Sequence, residues 1–428
     1  MELSLERRYG LVNLSRTDNS VIRLIEHLKR NEYAANRVHT LVLSGNILQD
    51  LIFQEESDLQ YIRSHSAPKP TSYLGTDTQK PSTQVAKDID DVLGKLRNVK
   101  NFTVTWIDDP SHALDIVYPH SRAWSTFGAN LETLRLVVTV PLLTLWLQQI
   151  QFLECLNDLS IVIFESFRSG GPPDTATSAD PRTVLCLLSS FINQQRHLGS
   201  LDITTTWHAD FSTLFSSLAT FPSLAKLSLN IPFNGQHLSN TTGILRFMQN
   251  HAKTLKTFIL HCGMQRRIHE DGATHNAIQI CPSDAIILFP KLGNSNLQSL
   301  AIRGLFESLA DLRSLTSGFS SDHPLRELTV EVNQITKEVF DLLSQSFPRL
   351  HSLHLTARAL EDGVSLHSQL DRELTTGTAD YSGWILHVLT IETMSPRRYR
   401  IEWDVIAPYI PNLRSFNGSG SIEIVAVN

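Results

Sequence analysis

Residues 221–233 read FPSLAKLSLNIPF, and the leucines at positions 224, 227 and 229 form the pattern L-x-x-L-x-L. We call this pattern the kernel and number its residues from one. Positions four and six are two residues apart, so in a β-strand both side chains point to the same face. Position one reaches the same core from the incoming turn, and positions three, five and seven point away from it. The kernel therefore predicts a short strand with one buried face.

The kernel recurs along most of the chain, with an apolar residue at positions one, four and six. After Val99, successive copies start 25 to 42 residues apart, with a mean of about 31, just above the roughly 20–29 residues of leucine-rich repeats. The first residues of the copies are Val38, Val99, Leu131, Leu156, Leu198, Leu224, Leu255, Leu297, Leu325, Leu350, Leu386 and, in a degenerate last copy, Leu413. Chance alternation would not hold both the internal spacing and the repeat length so many times.

Between kernels the apolar residues recur at helical spacing. Each helix is expected to start at a capping residue, because Ser, Thr and Asp side chains accept bonds from the first free N–H groups. The FP that opens the quoted stretch ends the preceding helix, since proline disfavours a helical residue before it. The clearest segments are 82–96 capped by Ser82, 181–195 capped by Asp180, and 336–347 capped by Thr336.

A helix followed by a strand cannot bury its apolar face alone, so neighbouring units must stack. Right-handed crossovers place the strands in parallel on one wall and the helices on the other. The sequence thus predicts an α/β leucine-rich-repeat solenoid, a horseshoe with the strands on the concave wall and the helices on the convex side. We expect an N-terminal cap over residues 1–36, formed by a strand and a helix, and a solenoid of about 11–12 repeats over residues 37–428.

Four segments interrupt the repeat and are rich in polar residues. They are expected to form loop excursions, either as functional loops or as neutral insertions. Their ranges are 54–81, 168–181, 264–284 and 361–380.

The composition excludes several classes of function. The net charge of −6 with charges of both signs interspersed is unlike the basic balance of a nucleic-acid binder. No apolar run reaches the length of a membrane span, and no secretory signal opens the chain. Four cysteines without a C-x-x-C pair favour a reducing compartment and buried thiols. We therefore expect an intracellular protein of the cytoplasm or nucleus that binds neither nucleic acid nor membrane.

The junctions FPSLAKLSL, FPRLHSLHL and IPNLRSF resemble those in the leucine-rich-repeat region of F-box proteins, especially the divergent, variable-length repeats common in fungi. The resemblance covers nearly the whole chain from about Arg37 onward. Residues 7–45 also look like the segment that follows the F-box in such proteins, with a short strand at Val12–Leu14, a helix at Val21–Lys29 and then the first repeat strand. The resemblance implies a non-enzymatic domain that binds a target protein, as the substrate-recognition half of a ubiquitin-ligase subunit does.

The chain departs from that family in one respect. An F-box needs a helical hairpin with a Leu-Pro start, but the residues before the first kernel contain no proline. The F-box is therefore missing or lies outside this chain, and a Skp1-type adaptor is a partner only in the second case. The alternatives are a stand-alone repeat binder or a truncated F-box protein with no ligase role.

The sequence contains no P-loop, dinucleotide-binding glycine motif, nucleophile elbow or zinc-protease motif. We expect no catalysis, no cofactor and no metal. A zinc site could in principle be drawn from His261, Cys262, His269, His275 and Cys281, but their spacing matches no common finger. A remote alternative is an enzyme that uses the insertions at 264–284 and 361–380.

The residues that point away from the core offer the best candidate binding surface. Kernel positions three, five and seven are mostly polar, and opposite charges on such a face steer a partner. A solvated strand face, where threonine suits β geometry, is the alternative interpretation. The candidate residues are Arg135, Asp158, Asp202, Lys226, Asn230, His261, Arg303, Glu327, Glu331, His354 and Glu392.

Overall fold

The structure is a computed structural model, and it describes residues 10–15, 19–45, 84–107, 122–150, 153–165, 180–231, 237–262, 295–306, 308–357, 381–393, 406, 408–418 and 424–425. The four predicted excursions lie outside these residues, except for Asp180 and Pro181. The chain forms two compact units. The first comprises Met1–Leu198 with Thr205–Trp207, and the second comprises Gly199–Thr204 with His208–Asn428.

The first unit alternates strands and helices along the chain. Its strands pair in sequence order, and every pair is parallel. A helical segment at residues 122–127 leads into a 3₁₀ turn at Gly128–Asn130. The other elements are β1 (Leu11–Leu14), α1 (Asn19–Arg30), α2 (Glu32–Ala35), β2 (Thr40–Ser44), α3 (Gln84–Leu93), β3 (Asn101–Trp106), β4 (Thr133–Thr139), α4 (Val140–Gln149), β5 (Asp158–Phe164) and α5 (Pro181–Gln194).

The second unit repeats this alternation. Its strands also pair in sequence order and in parallel, except for the final antiparallel pair of β13 and β14. Its elements are β6 (Ser200–Thr205, in this unit through Thr204), α6 (Ser212–Ser217), β7 (Lys226–Asn230), α7 (Thr242–His251), β8 (Thr257–His261), β9 (Ser299–Phe306), α8 (Leu309–Thr316), β10 (Glu327–Val332), α9 (Lys337–Ser346), β11 (Ser352–Ala357), β12 (Val388–Thr393), β13 (Ser415–Gly418) and β14 (Ile424–Val425).

The kernel leucines form the core of both units, as the sequence predicts. Positions one, four and six are at most 1% exposed in every copy except the degenerate last one, where Leu413 is 8% and Phe416 is 4% exposed. Each strand begins at position three of its kernel, so equivalent positions lie side by side across neighbouring strands. Identical spacing in every kernel therefore produces an in-register parallel sheet with one continuous apolar side in each unit.

The carbonyl of position two adds a recurrent backbone contact. In the second unit, the Gln298 carbonyl accepts the N–H groups of Arg326 and Glu327 at 2.8 and 3.0 Å. In the first unit, the Lys100 carbonyl accepts those of Glu132 and Thr133 at 2.8 and 2.9 Å. The same arrangement recurs between the other successive kernels within each unit. These bonds fix the backbone where each strand begins, and they align the position-two residues of successive repeats along one edge of the sheet.

The helices pack against the apolar side of the sheet. On β3, the Phe102 ring lies 5.6 Å from Trp124 and 5.3 Å from Phe127, both on the segment that precedes β4. Helices of successive repeats also pack against one another, as α4 does against α5 and α8 against α9. The fold is therefore the predicted α/β leucine-rich-repeat arrangement, with parallel strands on one side and helices on the other.

Both predicted helix starts that the structure describes are confirmed in position, but only Asp180 makes the expected capping bond. The Asp180 carboxylate accepts the N–H groups of Arg182 and Thr183 at 3.3 Å, and α5 begins at Pro181. Thr336 precedes α9 without a side-chain capping bond, while Ser82 lies outside the described residues.

The expectation of buried thiols is wrong for Cys155 and Cys186, which are exposed, and holds for Cys262. Cys186 falls on the solvent side of α5, because the buried face of that helix is formed by Val184, Leu185 and Leu188.

Candidate protein-binding surface

We call the side of the sheet opposite the helices the outward face. Along β3, β5, β6 and β11, buried residues alternate with half-buried ones, and the half-buried residues occupy positions three, five and seven. Strand alternation alone places them there, since successive side chains point to opposite faces. Every candidate residue named from the sequence lies on this face at a half-buried or exposed position.

The first unit contributes Arg135 and Asp158. Arg135 is exposed in the middle of β4, between Thr103 and Ser160 in register. Asp158 opens β5 beside Thr133. Among the described residues, neither side chain forms an ion pair, so the structure gives no charged cluster on this part of the face.

The second unit brings several of the candidates together near the carboxyl ends of its strands. Asn230, His261 and Arg303 are in register at position seven of β7, β8 and β9. Asp202, on β6, is close enough to act electrostatically on His261. A row of polar and charged groups thus crosses the sheet at right angles to the strands.

Strand β9 contains an irregularity at the centre of this row. Ile302 pairs with Val330, but the next pair joins Leu305 to Glu331, so Arg303 and Gly304 bulge from the ladder. Gly304 has a φ of 150°, a conformation that only glycine adopts without strain. Arg303, at the start of the bulge, is exposed on the outward face.

The bulge is held by polar contacts on both sides. The Cys262 N–H donates to the Arg303 carbonyl at 2.7 Å. On the other side, the Gly304 N–H donates to the Glu331 carboxylate. Two neighbouring strands therefore anchor the segment that presents Arg303.

Burial and nearby charges set the protonation of this region. Burial lowers the pKa of His261, Arg303 lowers it further, and Asp202 acts in the opposite direction. Burial raises the pKa of Glu331, while the Gly304 N–H, Arg303 and His354 oppose that rise. The imidazole of His261 is consequently held in its neutral form at neutral pH.

His354 and Glu392 extend the row across β11 and β12. His354 Nε2 lies 3.3 Å from Glu392 Oε2, and the two side chains are 35% and 53% exposed. Solvent screens such a partly exposed pair, so its attraction contributes little to folding, and the Glu392 side chain remains accessible to a partner. We call Asp202, His261, Arg303, Glu331, His354 and Glu392 the charged cluster.

Two further candidates lie apart from the charged cluster. Lys226 and Glu327 are exposed at the first positions of β7 and β10, near the opposite end of the strands. Neither forms an ion pair with a described residue.

The sequence reasoning overlooked the bulge, although a glycine inside the apolar run LAIRGLF is a recognised signal for one. It also passed over kernel position two, whose side chains form a charged row at the amino-terminal edge of the sheet.

The structure gives no support for a metal centre among the residues it describes. No group of three or more His, Cys, Asp and Glu side chains there could hold an ion. Cys262 is fully buried and His261 faces outward on β8, while His269, His275 and Cys281 lie outside the described residues. In the described part of the chain, no helix has the length and apolarity to cross a membrane.

Comparison with known proteins gives structural likenesses only. No protein-family model matches the chain, and neither does any curated protein. The crystal structure of the yeast Rad7 and Elc1 complex contains a chain that is 12% identical, with a TM-score of 0.43 over 94% of this chain and 95% of that one. A protein from Bacteroides fragilis is 13% identical, with a TM-score of 0.33 over 76% and 79%. The fold assignment rests on the strand register and the buried kernels described above.

Proposed function

We propose that this protein is a non-catalytic scaffold that binds another protein through the outward face of its repeat sheet. The charged cluster of the second unit carries the proposal. It combines cationic, anionic and neutral polar groups within one row, and such alternation favours one orientation of a partner over others. The strands beneath it are locked by their buried kernels and by the paired N–H bonds to each position-two carbonyl. A rigid base lowers the entropic cost of binding.

A pair of charge reversals tests this proposal without changing the net charge. The variant carries Arg303→Glu and Glu392→Lys, both at exposed positions. A matched control carries Arg313→Glu and Glu154→Lys, both at exposed positions outside the charged cluster. We expect affinity capture to yield proteins that bind the wild type and the control but not the variant. Calorimetry with a purified captured protein should then show at least about a tenfold loss of affinity, which equals about 1.4 kcal/mol.

Two outcomes would contradict the proposal. The first is a purified partner that binds the cluster variant as tightly as the wild type. The second is equal loss in the control variant, which would place the binding surface elsewhere.

The finer part of the proposal is a role like that of the substrate-recognition repeats of an F-box protein. It is supported by the repeat junctions and by the order of strand β1, helix α1 and strand β2 at residues 11–44. A ligase role would also need an F-box outside this chain to engage a Skp1-type adaptor. Purified Skp1-type adaptor is therefore expected not to bind this chain in a pull-down. Binding that depends on residues 1–36 would contradict this expectation.

A further inference from the structure

A second charged row follows kernel position two in the second unit. Its side chains belong to consecutive repeats. Each position-two N–H donates to the position-two carbonyl of the preceding repeat at 2.8–2.9 Å, so these residues lie side by side. The row lies at the amino-terminal edge of the sheet, before the first residue of each strand. In order its members are Lys256, Gln298, Arg326, His351, His387 and Arg414. We call this row the basic edge.

The cations of the basic edge are not neutralised by acids of the described residues. Lys256, Arg326 and Arg414 are exposed, and none of them forms an ion pair there. Glu327 follows Arg326 directly, but it is the first residue of β10 and occupies the outward face. The other nearby acid, Asp322, lies 3.5 Å from Arg349, a residue outside the row.

Two histidines of the row, His351 and His387, lie next to each other. The rings of His351 and His387 lie 5.2 Å apart, edge to face. Burial lowers the pKa of His387, and the charges of Arg414 and His351 lower it further. The lowered pKa favours the neutral imidazole of His387 at neutral pH, so the positive charge of the row comes from its Lys and Arg side chains. No residue of the row is an acid.

We propose that the basic edge binds an extended acidic segment of a partner protein through the carboxylates of that segment. This surface goes beyond the proposed function, because it lies at the edge of the sheet and uses none of the residues of the charged cluster.

The dimensions of the row match a short extended peptide. Five ladder steps separate Lys256 from Arg414, which at about 4.8 Å per strand gives a row of roughly 24 Å. An extended chain rises about 3.3 Å per residue, so roughly seven to eight residues cover the row. The long, flexible side chains of Lys and Arg accommodate the difference between the strand spacing of about 4.8 Å and the peptide rise of about 3.3 Å per residue. Guanidinium groups also bind carboxylates in a bidentate manner.

The surrounding charge favours a short peptide over a nucleic acid. The chain as a whole carries a net charge of −6, and Glu327, the first residue of β10, adjoins the row on the outward face. A long polyanion that extends beyond the row would meet a chain of net negative charge and be repelled. A peptide segment confined to the basic edge avoids this repulsion.

Fluorescence anisotropy with a labelled peptide tests the proposal. The probe is a peptide of alternating serine and glutamate, about eight residues long, which matches the row at roughly 3.3 Å per residue. We expect the wild-type chain to bind it, with an affinity that falls as salt increases. The charge reversals Arg326→Glu and Arg414→Glu should weaken binding at least about tenfold, or about 1.4 kcal/mol. The milder Arg326→Gln and Arg414→Gln pair should weaken it less.

Matched controls separate the basic edge from net charge and from the charged cluster. Arg196→Glu with Arg313→Glu changes the net charge equally at exposed positions outside the row, and we expect it to bind as the wild type does. The Arg303→Glu and Glu392→Lys variant should also bind the probe normally, so failure of one proposal leaves the other standing. Thermal unfolding of each variant establishes that it is folded.

Four results would overturn the proposal. They are no binding by the wild type at low salt, equal binding of the serine–glutamine analogue, an equal loss in the Arg196 and Arg313 control, and tighter binding of a single-stranded oligothymidylate than of the acidic peptide.

Discussion

The amino-terminal edges of the two units differ in how their charges are balanced. In the first unit, Lys100 and Glu132 occupy position two of successive repeats, and Lys100 Nζ donates to Glu132 Oε1 at 2.7 Å. In the second unit, the row from Lys256 to Arg414 contains cations and histidines but no acid. Both edges have the same backbone ladder. The fold therefore does not require a particular charge at position two, and the residues there are available for recognition.

A second difference concerns one buried polar link between a helix and a neighbouring turn. In the first unit, Gln195 Nε2 donates to the Phe191 carbonyl at 2.9 Å, and its Oε1 accepts the Leu153 N–H at 3.3 Å. In the second unit, His251 Nδ1 lies 2.7 Å from the Phe247 carbonyl, and Nε2 accepts the Phe221 N–H at 2.8 Å. The two side chains satisfy equivalent backbone groups, but only the histidine titrates.

The largest expected effect tests whether the kernels of the two units are equivalent. Leu134 and Leu353 occupy position four in β4 and β11, and both are fully buried. Each change to alanine should lower the free energy of unfolding by about 3 kcal/mol, because it removes apolar contacts and leaves a cavity. Denaturant unfolding measures this loss. The outward variants Thr103→Ala and Thr329→Ala are the controls and should change stability little. A negligible loss at one leucine would show that the kernels are not interchangeable.

A smaller loss is expected from the bulge, which is a feature of the second unit. Gly304→Ala should cost about 2 kcal/mol, because a side chain is strained at its φ of 150°. Gly383→Ala is the matched control, since a Cβ there meets nothing within 4 Å. Denaturant unfolding of the two variants gives the comparison. Equal unfolding free energies of Gly304→Ala and Gly383→Ala would show that a side chain at residue 304 causes no strain.

The Gln195 and His251 pair predicts a difference in acid sensitivity. Burial lowers the pKa of His251, so at pH values between its folded pKa and about 6.5 the unfolded chain binds more protons. Its stabilising contribution is complete above pH 6.5 and is lost as the pH falls through the folded pKa. His251→Gln should keep both hydrogen bonds and remove this acid-dependent loss of unfolding free energy. We expect the resulting change to be smaller than the loss caused by Gly304→Ala. Unfolding free energies across this pH range measure the change.

The reciprocal variant controls for the chemistry of that link. Gln195→His should introduce an acid-dependent loss of stability that the wild-type residue lacks. An unchanged pH dependence in His251→Gln would assign the acid sensitivity to other histidines, such as His237, whose pKa burial also lowers.

The smallest effect on stability is expected at the edge of the first unit. Glu132→Lys removes the exposed ion pair with Lys100, which solvent already screens. We expect no measurable change in the unfolding midpoint. The edge of the first unit then becomes basic, and the variant should bind the acidic serine–glutamate peptide more tightly than the wild type in fluorescence anisotropy. Unchanged affinity would show that charge at position two is not sufficient for binding.

Much of the fold could be predicted from the sequence because the kernel specifies its own geometry. The spacing of Leu224, Leu227 and Leu229 identifies β7 and its buried side, and the same reasoning identifies the other kernel strands. Asp180 before Pro181 marks the start of α5, since capping depends on adjacent residues. The division into two units had no such local signal.

The candidate surface could be predicted only as a set of outward positions. Alternation along a strand places Arg303 and Glu331 on the same face, but it does not determine which of the candidates meet. Lys226 and Glu327 fit the pattern equally well and lie apart from the charged cluster.

The sequence by itself determined which residues are buried and that strands and helices alternate, because periodicity acts over a few neighbouring residues. Only the tertiary structure decided which charges lie together. The β9 bulge, the charged cluster and the basic edge all join residues far apart in the chain, and hydrogen bonds between strands set their distances. Those bonds depend on how neighbouring strands are aligned, and the sequence of a single repeat does not specify that alignment.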